Sequence, residues 1–184
     1  MAENLAQELI KAGVHFGHGT SRWNPKMRPY IYAKRGKIHI IDIKQTLKGT
    51  LVAKKLLHEI VSNGRDVVFV GTKRQAQDAV EKAAEKCSMH YVSHRWLGGM
   101  LTNFKTIRHS LSKLEHLETL QETGSIDNES KKQASRLKHE MKKIKNNLDG
   151  IRNMDKLPGA VVIVDARKED IALHEARKLG IPSI

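Results

Sequence analysis

Residues 66–80 read DVVFVGTKRQAQDAV, and this stretch decides the fold. Its first half is a continuous β-branched run, the pattern of a strand covered on both faces in a parallel sheet. Gly71 ends that run, and Thr72, with Gln75 three residues on, has the form of a capping box opening a helix toward Lys86. Residues 160–165, AVVIVD, repeat the strand signal and lead into a second helix ending near Leu179. A short strand near Tyr91, a strand over 37–43 and the start of another at Ile181 complete the series. Helices are expected over 5–12 and 46–62. Strands alternating with helices predict an α/β domain with a mostly parallel sheet flanked by helices.

Residues 104–154 break this alternation and contain no strand candidate. Leu137, Met141, Ile144, Leu148 and Ile151 follow a heptad seam, and Phe104, Ile107, Leu111, Leu114 and Leu117 run in similar register. Between them ETGSIDNES has the composition of a turn. The expectation is an inserted antiparallel helical hairpin that projects roughly 30 Å. Its narrow seam has only its own partner to bury against. The predicted organisation is therefore an α/β domain from 1–103 and 155–184, with the hairpin at 104–154.

Composition sets the class of partner. The 184 residues carry 33 Lys and Arg against 20 Asp and Glu, a formal charge of +13. Such an excess calls for a polyanion. One cysteine excludes a disulfide framework and a four-cysteine zinc site. No apolar run has the length of a membrane span, and the first residues lack the apolar core of a secretory signal.

The charge concentrates between Glu8 and Asp42, where there is no acid and seven bases: Lys11, Arg22, Lys26, Arg28, Lys34, Arg35 and Lys37. Trp23, Tyr30 and Tyr32 lie among them, with Pro25 and Pro29 expected to hold the backbone extended. A basic segment of this kind follows phosphates and offers rings to unpaired bases. Lys73 and Arg74 stand at a strand-to-helix turn, the place where open α/β sheets hold phosphates, and an RNA phosphate fits them better than a free nucleotide. There is no second glycine in dinucleotide-binding spacing and no phosphate-loop lysine motif. HRWLGGMLTNFKTIRHSL, from His94, places Arg95, Lys105 and Arg108 around a Gly98-Gly99 turn, with Asn103 positioned to cap the hairpin's first helix. Cys87, His90 and His94 have ligand-like spacing but supply only three ligands locally, so no metal and no cofactor is expected. No nucleophile elbow occurs. Asp42 and Asp165, each at a strand end, are better placed to cap the next element than to act as a catalytic carboxylate pair, so no catalytic residue is assigned.

Four segments taken together, AGVHFGHGTSRWNPKMRPYIY, VVFVGTKRQAQDAV, HRWLGGMLTNFKTIR and PGAVVIVDARKEDIALHEARKLGIP, resemble the small-subunit ribosomal protein two family of bacteria and organelles. The resemblance runs in family order from about residue 12 to 182. It implies a Rossmann-like domain with a protruding coiled-coil hairpin and no enzymatic activity. It also implies binding to small-subunit ribosomal RNA between head and body, neighbouring ribosomal proteins, and docking of the messenger-binding ribosomal protein one. The location implied is the cytoplasmic or organellar ribosome, with no membrane and no small-molecule substrate. Arg22, Trp23, Asn24, Pro25, Lys26 and Met27 match the family's WNPKM loop, and Lys73 and Arg74 its GTKR turn. Residues 94–103 match its start of the hairpin. Family members continue past the GIP motif, so this chain is expected to lack the family's C-terminal portion. The RNA contacts assigned on these grounds are Arg22, Trp23, Lys26, Arg28, Lys34, Arg35, Lys37, Lys73, Arg74, Arg95, Lys105 and Arg108. Two other functions fit the same residues, a nucleotide-binding α/β protein and a protein-docking module outside the ribosome.

Overall fold

The computed structural model describes residues 2–124 and 130–184, with the side chains of 2–4 left aside. The expected turn between the two seam helices lies mainly outside the described residues. The chain divides into two compact units, Met1–His58 and Glu59–Ile184, the division falling in helix α2.

The first unit begins with α1 (Ala2–Lys11) and holds a three-stranded antiparallel sheet in the order β1-β3-β2. Its strands are β1 (Phe16–Gly19), β2 (Ile31–Arg35) and β3 (Ile38–Ile41). Helix α2 (Ile43–Ser62) follows, its start capped by Asp42, whose Oδ1 accepts from the Lys44 amide at 2.9 Å. Two expectations are corrected here. The strand over 37–43 belongs to an antiparallel sheet rather than to the parallel one. Arg35 pairs with Ile38 across a two-residue turn in which Gly36, at φ +60°, supplies the left-handed geometry that a tight hairpin needs. The proline segment is not extended: Pro25–Tyr30 forms a 3-10 helix. Pro25 sits at its first turn, where a fixed φ suits helix entry, and Asn24 caps it by accepting from the Lys26 amide at 3.0 Å.

The second unit carries the parallel sheet, in the order β5-β4-β6. Central strand β4 (Val67–Val70) pairs with β5 (His90–Val92) on one side and β6 (Ala160–Ile163) on the other. Val67, Val68 and Val70 are buried, as a strand covered on both faces requires. Helix α3 (Gln77–Cys87) makes the β4-to-β5 crossover, and α6 (Asp170–Lys178) follows β6. Past Ile181, Ser183 makes a parallel bridge to Val161. The capping box at Thr72 does not form. Helix α3 starts five residues later, because the Thr72 amide and hydroxyl are both taken by Glu169.

The heptad seam falls on α4 (Phe104–Glu122) and α5 (Lys131–Leu148), which pack on each other. Ile107, Leu111, Leu114 and Leu117 of α4 and Leu148 of α5 are buried. The seam is not confined to its own pair of helices. Ile107, Leu111, Leu148 and Ile151 join Val68, Val70, Val92 and Val161 in one apolar cluster. The seam thus begins inside the core of the parallel sheet. Lys113 pairs with Glu140, and Glu118 with Lys145 and Arg152, across the two helices.

Candidate nucleic-acid interface

The cations assigned in the first unit share a simple environment. Arg22, Lys26, Arg28, Lys34, Arg35 and Lys37 are all exposed. Among the described residues none of them forms an ion pair. Arg22 precedes the 3-10 helix, which carries Lys26 and Arg28, and the others line β2 and its turn. Lys34 and Arg35 are successive in a strand and so leave opposite faces of the sheet. The Trp23 ring rests against His39, with centroids 5.0 Å apart and planes tilted by 48°, yet remains 36% exposed. Tyr32 is 79% exposed. The unit carries eleven Lys and Arg against three acids, a net +8. Unneutralised cations beside open aromatic faces have the chemistry that grips phosphates and stacks on unpaired bases.

In the second unit two of the five assigned cations, Lys73 and Arg108, are held by partners within the chain. Lys73 Nζ lies 3.0 Å from Asp165 Oδ2, and this lysine holds the Asp165 carboxyl below its usual pKa. Asp165 has φ +71°, an uncommon left-handed setting for a residue with a side chain. Its carbonyl accepts the amides of Lys168 and Glu169, closing the turn into α6. Arg74, Arg95 and Lys105 are exposed. Arg108 is engaged within the chain: its guanidinium donates to the carbonyls of Arg152 and Met154 and pairs with Asp155 at 3.0 Å. The structure therefore leaves Lys105 open and makes Arg108 a brace for the segment after α5. Asn103 precedes α4 but does not bond its amides; its Oδ1 accepts the Thr106 hydroxyl at 2.8 Å.

Two buried carboxylates organise these loops, and neither was singled out by the sequence reading. Glu175, on α6, accepts five hydrogen bonds. They come from the Gly99 amide at 2.7 Å, the Leu101 and Thr102 amides and the Thr102 hydroxyl at 3.0 Å, and the Trp96 indole N–H at 3.2 Å. Burial pushes its pKa up, but the amides of Thr102, Gly99 and Leu101 with the indole override it and hold the carboxyl below its usual value. Gly99, at φ +94°, turns its N–H inward in a conformation that a side chain would strain. Glu169 accepts from the Thr72 amide at 3.0 Å and from its hydroxyl at 2.5 Å. A signal for Glu175 is present in the sequence, since it shares one stripe of α6 with Ala172 and Ala176, and an acid in an apolar stripe needs donors. Another legible feature is the charge of α5, seven Lys and Arg against one Glu, which the assigned contacts omit.

The geometry weighs against a nucleotide at the strand-end turn. The Thr72 amide and hydroxyl that a phosphate would use already hold a carboxylate. A polar cleft of about 200 Å³ at the end of β5 places Glu81 and Asp149 beside Lys145, so two acids face any incoming phosphate. Among the described residues no group of three or more His, Cys, Asp or Glu is arranged to hold a metal ion. His90 Nε2 lies 3.3 Å from Asp66 instead, and Cys87 is exposed. No helix among them is long and apolar enough to cross a membrane.

Comparison with known proteins gives a consistent result. A profile of the family described as ribosomal protein S2 matches residues 9–184. A small ribosomal subunit protein uS2 of Rhodopirellula baltica is 52% identical over 184 residues, covering 100% of this chain and 71% of that protein. The protein of the same name from Treponema pallidum strain Nichols is 48% identical over 184 residues, covering 100% of this chain and 63% of that protein.

Proposed function

The chain belongs to the ribosomal protein S2 family, a structural and non-catalytic component of the ribosome, and on that footing we propose that it binds small-subunit ribosomal RNA chiefly through residues 22–37. The observation that carries this reading is the first unit's surplus of exposed, unpaired cations beside Trp23, Tyr30 and Tyr32. Arg22, Lys26, Arg28, Lys34, Arg35 and Lys37 contact phosphates, and Trp23 offers its open face to a base. Arg74, Arg95 and Lys105 add contacts from the second unit, whereas Lys73 and Arg108 act partly through their internal partners. The full reading places the protein between head and body RNA, with a coiled-coil hairpin at 104–154 protruding from a Rossmann-like domain. It also assigns the protein a part in docking ribosomal protein one.

Phosphate contacts make affinity fall with salt as counterions are released. With about six contacts the slope of log K against log salt should be roughly −4 to −5. The direct test is sedimentation of the tagged chain from its own cells at low and high salt. Comigration with small subunits, weakened by salt, is the expected result. A chain that stays free at low salt, alongside a longer form that also stays free, would remove the ribosomal role.

A further inference from the structure

Two loops, one carrying Lys73 and Arg74 and the other following Arg95, are tied to one short stretch of chain, 169–175. The turn at 72–74 is held at Thr72, whose amide and hydroxyl donate to Glu169 and whose carbonyl accepts from Lys168 Nζ at 3.0 Å. The loop at 96–102 is held by the five bonds to Glu175. Arg74 and Arg95 lie within two residues of these anchors and are themselves exposed. Both carboxylates are buried and point into the fold, so neither reaches an external ligand.

We propose that Glu169, just before α6, and Glu175, on α6, are positioning residues for RNA binding, each holding a loop, 72–74 and 96–102, so that Arg74 and Arg95 leave it in a direction prearranged for phosphate contact. The reasoning is energetic. A phosphate contact from a long side chain is useful in proportion to how little order must be created on binding. Backbone N–H groups of a Gly-Gly loop would otherwise sample many conformations, and left inside without a carboxylate they would lose hydrogen bonds to a charged acceptor. Glu175 removes that freedom by collecting three amides, a hydroxyl and an indole on one group. It thereby fixes the direction in which Arg95 leaves the loop. Glu169 does the same for Arg74 by occupying the donors of Thr72.

This inference rests on the RNA-contact reading of Arg95 and Arg74, and a double-mutant cycle separates the two. The probe is small-subunit ribosomal RNA purified from the same cells, bound by the full 184-residue chain at fixed salt. Arg95→Ala alone is expected to weaken binding about five- to tenfold, as for loss of a phosphate contact. In a Glu175→Gln background the same change should cost less than about twofold, because the misplaced arginine no longer makes its contact. Glu169→Gln with Arg74→Ala forms a second, independent cycle with the same expectation. Glu175→Asp keeps the charge but withdraws it by one methylene. It should fall between wild type and Glu175→Gln, and it replaces Glu175→Gln if that variant does not fold. Ile60→Ala, which weakens the core away from both loops, should leave the Arg95→Ala factor unchanged. Equal Arg95→Ala factors in both backgrounds would overturn the positioning role. So would an Ile60→Ala background that abolishes the factor as Glu175→Gln does. If Arg95→Ala by itself changes nothing, the RNA reading of that loop fails and the positioning role fails with it.

Discussion

The two compact units of this chain solve opposite problems. The first, 58 residues with a net charge of +8, has no fully buried residue among the described side chains. It leaves Phe16 59% exposed and the rings of Tyr30 and Tyr32 open. His15 Nδ1 and both ring nitrogens of His39 are buried without a hydrogen-bond partner. The second unit is 126 residues long and nets only +5, with 22 Lys and Arg against 17 acids. It holds every buried apolar side chain described and satisfies its buried carboxylates with up to five donors each. Only Arg152 Nε is left buried and unpartnered there among the described residues. The difference separates a unit held by its own core from one whose polar and aromatic groups are left open. The second unit is stabilised from within; the first keeps its cations and rings at the surface, as the proposed RNA contacts require.

The sharpest way to break this comparison is to truncate matched apolar residues. Met154→Ala removes a fully buried side chain and should cost about 2–5 kcal/mol. Phe16→Ala removes a largely exposed one and should cost less than about 1 kcal/mol. Denaturant unfolding followed by circular dichroism measures both. Equal costs would mean that the first unit hides a core of its own.

Glu175 gives the next effect. Replacing it with Gln removes a charged acceptor from five donors and should destabilise the second unit by about 3 kcal/mol. The sign with pH follows from its lowered pKa. The folded state holds the carboxyl below its unfolded value of about 4.3, so its stabilisation is present above that value and disappears as pH falls through the folded pKa. Wild-type stability should therefore drop in acid more steeply than that of Glu175→Gln. Parallel acid-stability curves for the two proteins would exclude the charge as the source.

On the RNA side the order of the units reverses. Arg22→Ala, Lys26→Ala and Arg28→Ala combined should reduce the salt slope by about 2–3 while leaving the unfolding midpoint in place. Lys73→Ala should reduce it by less than about one, because Asp165 already neutralises that lysine. Filter binding over a salt series reads both, and a larger change from Lys73→Ala would invert the comparison. The smallest effect belongs to the exposed pair of Lys113 and Glu140 across α4 and α5. Lys113→Ala should move stability by less than about 1 kcal/mol, and a greater loss in thermal unfolding would make that pair part of a coupled network.

The same division explains what the sequence disclosed. Strands β4 and β6 are legible as continuous β-branched runs and the seam of α4 and α5 as a heptad period, because burial on two faces or on one stripe marks the residues in those two ways. Strands β1 and β2 were not: with Phe16, Tyr32, Lys34 and Arg35 all facing water, no burial pattern marked them, and a Gly36-Lys37 turn is a weaker hairpin signal than Asn-Gly. Pro25 and Pro29 were read as extended because proline breaks α-helices, yet its fixed φ also fits a 3-10 turn capped by Asn24. The basic residues of the candidate site are visible as charge. Glu175 is marked only by its place beside Ala172 and Ala176, and its partners are hidden, because the amides that Glu169 and Glu175 bind lie 73 to 97 positions away, which composition and spacing do not register.

Hydrogen exchange of the free chain, then of the chain bound to small-subunit ribosomal RNA, tests the contrast most directly. The amides of β1, β2 and β3 should exchange much faster than those of β4, β5 and β6 in the free chain, and RNA should slow the first set while leaving the second nearly unchanged. Equal protection of both sheets without RNA, or RNA protection confined to the parallel sheet, would contradict the account.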